Sequence, residues 1–265
     1  MYKRQRTYNA QPSLLVTSLA LLSVFREMYD LKPDFMAGHS LGEYTAYTAA
    51  NSIRFEDAVK LVRNRGLYME EAVPAGIGTM CAVLGMDVSS LEEVTRTITS
   101  QGESVQLANL NSPGQIIISG TTEGVRLAGE LAKEKGAKRV LPLEVSGPFH
   151  STLMEPAASK LEENLNHIEF SNPDYPIISN YTGTESGTDI QASLVKQLYS
   201  PVKWQESVEY MIDQGVTNFI EFGPGTVLTG LVRKINRKVK TYSVKDIESC
   251  KNVVDSLKSE VEANG

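Results

Sequence analysis

The sequence is poor in the residues that build metal clusters and disulfide frameworks. Its 265 residues include only two cysteines, Cys81 and Cys250, and only three histidines. Two cysteines so far apart match neither a zinc motif nor a disulfide framework. A chain of this length buries enough apolar surface to fold without such cross-links. Hydrophobic residues make up 41% of the chain and charged residues 22%, which excludes disorder for most of it.

An excess of positive charge is also lacking. The chain has 26 lysines and arginines against 32 aspartates and glutamates, so its net charge is −6 at pH 7. Proteins that bind nucleic acid or anionic membranes mainly through charge need a net or clustered positive surface. The charge balance therefore predicts a protein that binds neither nucleic acid nor a membrane.

No hydrophobic run is long enough to cross a bilayer, which takes about 20 residues. The run at 13–25 follows Lys3, Arg4 and Arg6, as in a signal peptide, but a polar residue and a proline interrupt the approach. A charged pair follows the run at once, and no cleavage site of small residues is present. We therefore expect a cytoplasmic protein and a buried helix over about 10–30. The expected buried face of this helix comprises Leu14, Leu15, Leu19, Leu22 and Phe25.

Helical and strand-like segments alternate along the rest of the chain, which predicts an α/β core with a parallel sheet. Its strands are expected at 34–37, 177–180, 218–222 and about 239–243. Between 79 and 144 the order changes to β-α-β-β-α-β, which is typical of a ferredoxin-like unit. We expect the core at 8–78 and 145–247, the inserted ferredoxin-like subdomain at 79–144, and a C-terminal helix and tail at 248–265.

A G-x-S-x-G motif at 38–42 lies between a predicted strand and a predicted helix. Such a turn lifts the Ser40 hydroxyl out of the sheet, and the glycines leave room for a tight backbone. The N–H of Leu41 then faces the oxygen of an attacked carbonyl, beside the positive end of the helix. Ser40 is therefore a candidate nucleophile, and a purely structural turn is the alternative.

A serine nucleophile needs a base, and the three histidines are the candidates. His39 is adjacent to Ser40, and adjacent side chains on a turn usually diverge. His167 ends a polar helix and is expected to face solvent. His150 follows a strand predicted at 139–145, and loops at strand ends commonly carry catalytic groups. Elimination favours His150 as the general base; a hydrogen-bonded loop histidine is the alternative.

An inward-facing arginine is predicted on the helix at 55–72. Arg65 falls on the apolar stripe of this helix, seven residues after Ala58 and four before Met69. A buried guanidinium is costly without an anionic partner. The partner is either an internal carboxylate or the carboxylate of a substrate, which arginine binds through two hydrogen bonds.

Several further motifs occur in the same order as in one enzyme family. They are G-H-S-L-G-E at 38–43, R-G at 65–66, N-S-P-G-Q at 111–115, G-P-F-H at 147–150, Q-L-Y-S-P-V at 197–202 and E-F-G-P-G at 221–225. The sequence resembles the malonyl-CoA:acyl-carrier-protein transacylases of bacterial fatty-acid synthesis over nearly its whole length, from about Tyr8 to Lys245. Related polyketide-synthase acyltransferase domains share these motifs.

The resemblance implies a hydrolase-like acyltransferase core, malonyl-CoA as donor and acyl carrier protein as acceptor. No metal or redox cofactor is implied, and we expect a monomer. By the same resemblance, Ser40 is the acylated nucleophile, His150 the base and Arg65 the ligand of the malonyl carboxylate. The resemblance also implies that the backbone carbonyl of Gln197 orients the histidine and that Leu41 supplies an oxyanion N–H. It places Gln11 near the active site and gives Phe149 a part in selecting the malonyl group.

One departure concerns the beginning of the sequence. Family members open with a core strand and a G-Q-G-S-Q segment that supplies a second oxyanion N–H, and residues 1–7 do not match it. Loss of one such donor costs about 3 kcal/mol of transition-state stabilisation, and loss of a central strand bares a sheet edge. We therefore expect a truncated reading frame, with residues 1–6 foreign to the family and the activity poor.

Acyl carrier proteins are acidic, so a basic docking surface is expected. The densest basic run comprises Arg233, Lys234, Arg237, Lys238 and Lys240. A solvated helix C-terminus is the alternative reading of this run. Three other functions remain open: a serine thioesterase or hydrolase, a nucleotide-binding module at Gly223 and Gly225, and an inactive fragment that still contacts carrier protein.

Overall fold

The computed structural model describes residues 6–264. Its helices and strands, in chain order, are α1 (Thr7–Met28), α2 (Leu41–Ala49), α3 (Phe55–Glu71), β1 (Gly78–Leu84), α4 (Val88–Ser100), β2 (Val105–Ser112), β3 (Gln115–Thr121), α5 (Thr122–Glu134), β4 (Arg139–Pro142), α6 (Glu155–Leu165), α7 (Ile190–Tyr199), α8 (Trp204–Asp213), β5 (Asn218–Phe222), α9 (Val227–Ile235), β6 (Lys240–Val244) and α10 (Ile247–Asn264). Residues 1–5, most of the segment expected to be foreign to the family, lie outside the described residues.

The segment between α3 and the loop after β4 forms a four-stranded antiparallel sheet covered by α4 and α5. The strand order is β2-β3-β1-β4. The side chains of Asp87 and Thr121 cap α4 and α5 by accepting hydrogen bonds from backbone N–H groups. Apolar residues from both helices and the sheet share one core. This arrangement confirms the predicted fold class, an α/β protein with an inserted ferredoxin-like subdomain.

The larger core packs α1, α2, α3, α6 and α7 around one apolar cluster. Beside it, β5 and β6 pair in parallel. Parallel pairing also joins Met36 to Ile177, but only as a single bridge. The strands expected over 34–37 and 177–180 are therefore shorter than predicted. They are short because the turn at Gly38 follows Met36 closely and because Pro176 has no N–H to extend the ladder.

The segment that leads to His150 is less regular than expected. A strand is predicted over 139–145, whereas β4 ends at Pro142. Proline has no N–H to donate to a sheet ladder, and one further bond, from the N–H of Leu143 to the carbonyl of Met80, ends the pairing. His150 consequently lies at the end of a long loop instead of directly after a strand.

The first helix has the expected position but a different buried face. Leu15 and Phe25 are buried, whereas the side chain of Leu14 is 41% exposed. The face that packs against the core instead includes Gln11, four residues before Leu15. Among the described residues, no helix combines the length and the hydropathy that a membrane span requires.

Candidate active site

Ser40 lies in a strained turn directly before α2. Its φ and ψ are 53° and −105°, a region that costs a residue other than glycine about 1–3 kcal/mol. Gly38 makes the turn possible, because a Cβ atom there would lie 2.1 Å from the carbonyl carbon of Gly42. Leu41 is the first residue of α2, so its N–H has no acceptor within the helix. The Ser40 hydroxyl is thus held at a helix N-terminus, where developing negative charge is favoured.

His150 meets Ser40 across 110 positions of sequence. Its Nε2 atom lies 2.8 Å from the Ser40 hydroxyl oxygen, and its Nδ1 atom lies 2.9 Å from the backbone carbonyl oxygen of Gln197. A carbonyl oxygen can only accept, so Nδ1 carries the proton and Nε2 presents a lone pair to the serine. This geometry gives His150 the tautomer that a general base needs.

The imidazole of His150 is held neutral. Burial lowers its pKa to about 3, and the positive charge of Arg65 acts in the same direction. The hydrogen bond to the carbonyl of Gln197 opposes this shift without cancelling it. Among the described residues, His150 has a backbone carbonyl as its Nδ1 partner where a conventional triad has a carboxylate.

Arg65 projects from α3 into the same site and is 1% exposed. One terminal nitrogen of its guanidinium donates to the side-chain oxygen of Gln11, at 2.7 Å. The other donates to the hydroxyl oxygen of Ser40 and to the side-chain oxygen of Gln197, both at 3.0 Å. The guanidinium also lies 5.1 Å from the centre of the Tyr44 ring. All of these partners are uncharged.

The positive charge of Arg65 is not matched by an ion pair. Within residues 6–264, no carboxylate lies within 4.0 Å of its guanidinium, and its Nε–H has no hydrogen-bond acceptor. Burial lowers the pKa of Arg65, but an arginine remains charged in proteins. Among the described residues, Arg65 therefore has no ion pair with an internal carboxylate. The buried carboxyl group of Glu43 acts on it only through space, and the guanidinium can still accept an anion.

Gln11 and Phe149 border a small cavity next to these groups. It has a volume of about 200 Å³ and lies between the start of α1 and the loop that precedes His150. Gln11 is 5% exposed and links the cavity to Arg65 through the bond described above. A larger cleft of about 650 Å³ lies between α1, the end of α2 and the start of α3, and it contains none of the predicted site residues.

The two other histidines lie outside this cluster. The Nε2 atom of His39 lies 2.8 Å from the side-chain oxygen of Asn111 on β2, and its ring lies against Trp204. His167 is exposed. In the part of the chain that the structure describes, no group of three or more His, Cys, Asp or Glu side chains could hold a metal ion.

Two residues of the site were not predicted from the sequence. Glu43 is fully buried and accepts a hydrogen bond from the side-chain amide of Gln197. Asn180 is fully buried and bonds the backbone on both sides of His39. The available signals were the position of Glu43 within G-H-S-L-G-E and that of Asn180 at the end of a predicted strand, where site residues of α/β proteins gather.

Comparisons with known proteins show which proteins this chain resembles. A family model described as "Acyl transferase domain" matches residues 3–264. The malonyl CoA-acyl carrier protein transacylase of Bacillus subtilis (strain 168) is 57% identical over 257 residues, which cover 96% of this chain and 80% of the relative. The transacylase of the same name from Staphylococcus aureus (strain MSSA476) is 45% identical, and the match covers 94% of this chain and 80% of the relative.

Solved structures show the same similarity. The malonyl CoA-acyl carrier protein transacylase from Clostridium perfringens superposes with a TM-score of 0.95 at 40% identity, covering 99% of this chain and 83% of that one. A malonyl-transacylase solved in complex with a type II polyketide-synthase acyl-carrier protein has a TM-score of 0.93 at 42% identity. The match covers 96% of this chain and 82% of that one.

Proposed function

The chain belongs to the acyl transferase domain family, and from this premise we propose that it moves a malonyl group from malonyl-CoA to the phosphopantetheine thiol of acyl carrier protein. The reaction passes through an ester on Ser40 and serves fatty-acid synthesis. The observation that carries the proposal is the meeting of three groups in one site: a strained serine, a neutral histidine 2.8 Å away and a buried arginine that donates a hydrogen bond to the serine. The names of the relatives support malonyl-CoA and acyl carrier protein as the two substrates.

The first half-reaction acylates the serine. Nε2 of His150 removes the Ser40 proton while the oxygen attacks the thioester carbonyl. The carbonyl oxygen becomes negative, and the N–H of Leu41 and the N-terminus of α2 stabilise it. The tetrahedral intermediate then expels the coenzyme A sulfur, which leaves as a thiol with the proton held by His150.

The second half-reaction reverses these roles with a different thiol. His150, neutral again, removes the proton from the phosphopantetheine thiol of the carrier protein, and the sulfur attacks the Ser40 ester. Collapse of the intermediate returns the proton to Ser40 and releases malonyl-carrier protein. Water would hydrolyse the ester if it entered, so burial of the site protects the acyl-enzyme.

Arg65 gives the site its preference for an acid-tailed acyl group. The groups that accept hydrogen bonds from its terminal nitrogens are uncharged, so a carboxylate that displaces one of them gains a charge-assisted pair. Gln11 fixes one side of the guanidinium and Gln197 the other. Phe149 borders the adjoining cavity and limits the size of the acyl group.

We further propose that the protein is a monomer and acts in the cytoplasm. Cys81 and Cys250 are both buried free thiols in the structure, which fits a reducing compartment. No step of the proposed mechanism requires a metal or a redox cofactor.

Intact-protein mass spectrometry tests the proposal directly. The purified chain, mixed with malonyl-CoA, is expected to gain one malonyl group on Ser40 and to lose it on addition of carrier protein bearing the phosphopantetheine arm. Ser40→Ala is the control and should gain nothing. Loss of the malonyl group to water at an equal rate with and without carrier protein would indicate a thioesterase. No mass gain at all would indicate an inactive fragment.

A further inference from the structure

Both peptide groups of Ser40 are held by side-chain amides from other parts of the chain. The Ser40 N–H donates to the side-chain oxygen of Asn180 at 2.7 Å. The Ser40 carbonyl accepts from the side-chain amide of Gln197 at 2.9 Å. Asn180 also donates to the carbonyl of Gly38 at 2.8 Å, so it spans the turn. A strained backbone conformation persists only when surrounding contacts hold it in place. These hydrogen bonds are the contacts that hold the backbone of Ser40.

One carboxyl oxygen connects the two amides. Oε2 of Glu43 accepts from the side-chain amide of Gln197 at 2.8 Å and from the backbone N–H of Asn180 at 3.1 Å. Glu43 lies in the first turn of α2, three residues after Ser40, and its side chain is fully buried. Its bonds run to α7 and to residue 180 instead of to the N-terminal N–H groups of its own helix. Glu43 therefore does not act as a helix cap.

The second oxygen of Glu43 has no hydrogen-bond partner among the described residues. Burying a carboxyl group with an unpartnered oxygen is unfavourable for stability. The burial raises the pKa of Glu43 to about 7. A proton on the free oxygen would leave Oε2 able to accept both bonds, so these bonds depend on the position of Oε2 whether or not the carboxyl group is protonated.

We propose that Glu43 is a positioning residue that, through Gln197 and Asn180, fixes Ser40 in the backbone conformation in which its hydroxyl meets His150 and Arg65. This inference rests on the proposed role of Ser40 as the nucleophile. Gln197 transmits the effect most widely, because its side chain contacts Ser40 and Arg65 while its backbone carbonyl orients His150.

The test compares two substitutions of Glu43 that separate position from charge. Glu43→Gln keeps an acceptor oxygen at the same reach without the charge, whereas Glu43→Asp keeps the charge but is one methylene too short. The readout is the rate at which a phosphonofluoridate labels Ser40, a probe that lacks a carboxylate and so does not depend on Arg65. Acylation by malonyl-CoA and thermal unfolding are measured on the same samples.

We expect Glu43→Gln to label within about threefold of the wild type and Glu43→Asp to label about 100-fold more slowly, since a misplacement of about 1 Å has effects of that size. Thr48→Val is the matched control. Among the described residues, its buried hydroxyl on α2 bonds only to the carbonyl of Tyr44, so the substitution should lower the unfolding temperature without slowing the labelling.

Three outcomes would overturn the inference. If Glu43→Asp labels as fast as the wild type, or if Glu43→Gln is as slow as Glu43→Asp, the position of the acceptor oxygen is not what matters. A wild-type chain that labels but takes no malonyl group would refute the proposed substrate, and the labelling ratios would still decide the role of Glu43. A wild-type chain that does not label would refute both.

Discussion

The guanidinium of Arg65 donates a hydrogen bond to the hydroxyl oxygen of Ser40, at 3.0 Å. The proton of that hydroxyl is then free to point to Nε2 of His150, 2.8 Å away. In the proposed mechanism, the serine oxygen therefore lies between a base that takes its proton and a cation that stabilises the resulting negative charge. The same cation disfavours protonation of His150, so one arginine acts on both members of the pair.

This relationship predicts an unusual pH dependence for acylation. A histidine base is active when neutral, and its ordinary pKa of 6.5 would halve the rate near that pH. Burial and Arg65 lower the pKa of His150 to about 3. The rate of acylation should consequently stay constant from about pH 8 to about pH 5, as measured by rapid-quench mass spectrometry.

Ser40→Ala serves as the background control at each pH, and far-ultraviolet circular dichroism checks that the chain remains folded. A fall in rate centred near pH 6.5 with the fold intact would contradict the assignment of His150 as a buried neutral base. Such a fall would indicate that the imidazole is solvated when substrate is bound.

Arg65→Ala should remove the preference for malonyl over acetyl groups. The wild type is expected to be acylated about 100-fold faster by malonyl-CoA than by acetyl-CoA, because a buried charge pair is worth several kcal/mol. Without the guanidinium, the malonyl carboxylate would be buried unpaired, and the ratio should fall to about one or below. The ratio is measured by intact mass at equal donor concentrations.

Arg63→Ala is the matched control, since Arg63 lies two residues away on α3 but faces solvent. Its guanidinium donates to Asn9 and lies over the ring of Tyr8, outside the site. The ratio of malonyl to acetyl acylation should be unchanged in this variant. An unchanged ratio in Arg65→Ala as well would exclude Arg65 as the ligand of the carboxylate.

The secondary structure was largely predictable because its signals are local. The subdomain strands and the helices between them follow from alternation, apolar spacing and turn residues. The turn expected at 111–114 occupies only 113–114, because β2 continues to Ser112. The core strands at 34–37 and 177–180 were predicted too long, since the number of residues that pair in a parallel sheet depends on distant segments. The buried face of α1 was predicted wrongly at Leu14. Every side of this helix carries apolar residues, so their spacing alone does not show which side packs against the core.

The candidate site was predictable in part for similar reasons. Ser40 follows from its motif and Arg65 from its place on the apolar stripe of α3, both of which are local signals. Glu43 was missed although it lies within G-H-S-L-G-E, because carboxylates are almost never fully buried. Its partners lie 137 and 154 positions away in sequence, so only the folded chain shows that it contacts the groups that hold Ser40.

Gly66→Ala should destabilise the protein by separating α1 from α3. A Cβ atom at residue 66 would lie 2.6 Å from the Cα atom of Tyr8 in α1, a backbone contact that no side-chain rotation relieves. We expect a loss of about 1–3 kcal/mol in the free energy of unfolding, measured by urea denaturation. Movement of α1 would also carry Gln11 away from Arg65, so acylation by malonyl-CoA should slow.

Gly230→Ala is the control for the intrinsic effect of the substitution. Gly230 lies within α9, and a Cβ atom there would meet nothing within 4 Å. Alanine is favoured over glycine in a helix by up to about 1 kcal/mol, so this variant should be as stable as the wild type or more so. Equal effects at the two positions would refute the steric explanation for Gly66.

The last prediction concerns the basic surface at the end of α9, formed by the five residues Arg233, Lys234, Arg237, Lys238 and Lys240. Lys234 donates to the side chain of Gln115 at the start of β3. Gln115 pairs with Ser112, and the neighbouring Asn111 forms a hydrogen bond with His39, which precedes the proposed nucleophile Ser40. The basic surface therefore adjoins the hairpin that reaches the active site, where an acidic carrier protein would present its arm.

Within this surface, Arg237 and Lys238 are exposed, and neither side chain forms an ion pair or hydrogen bond within the described range. Reversing both charges to glutamate should slow transfer to carrier protein about tenfold at low salt, and the effect should shrink as salt is added. Loading of Ser40 by malonyl-CoA should not change. The two half-reactions are measured separately by intact mass.

Reversal of Lys251 and Lys258 provides the matched control, because these lysines are also exposed but lie on α10, which packs against α1 and β6. The net charge changes equally in the two double variants, so any general effect of charge on encounter with an acidic protein is removed by the comparison. If both variants slow transfer equally, or if the α9 variant slows loading as much as transfer, this surface is only the solvated end of a helix.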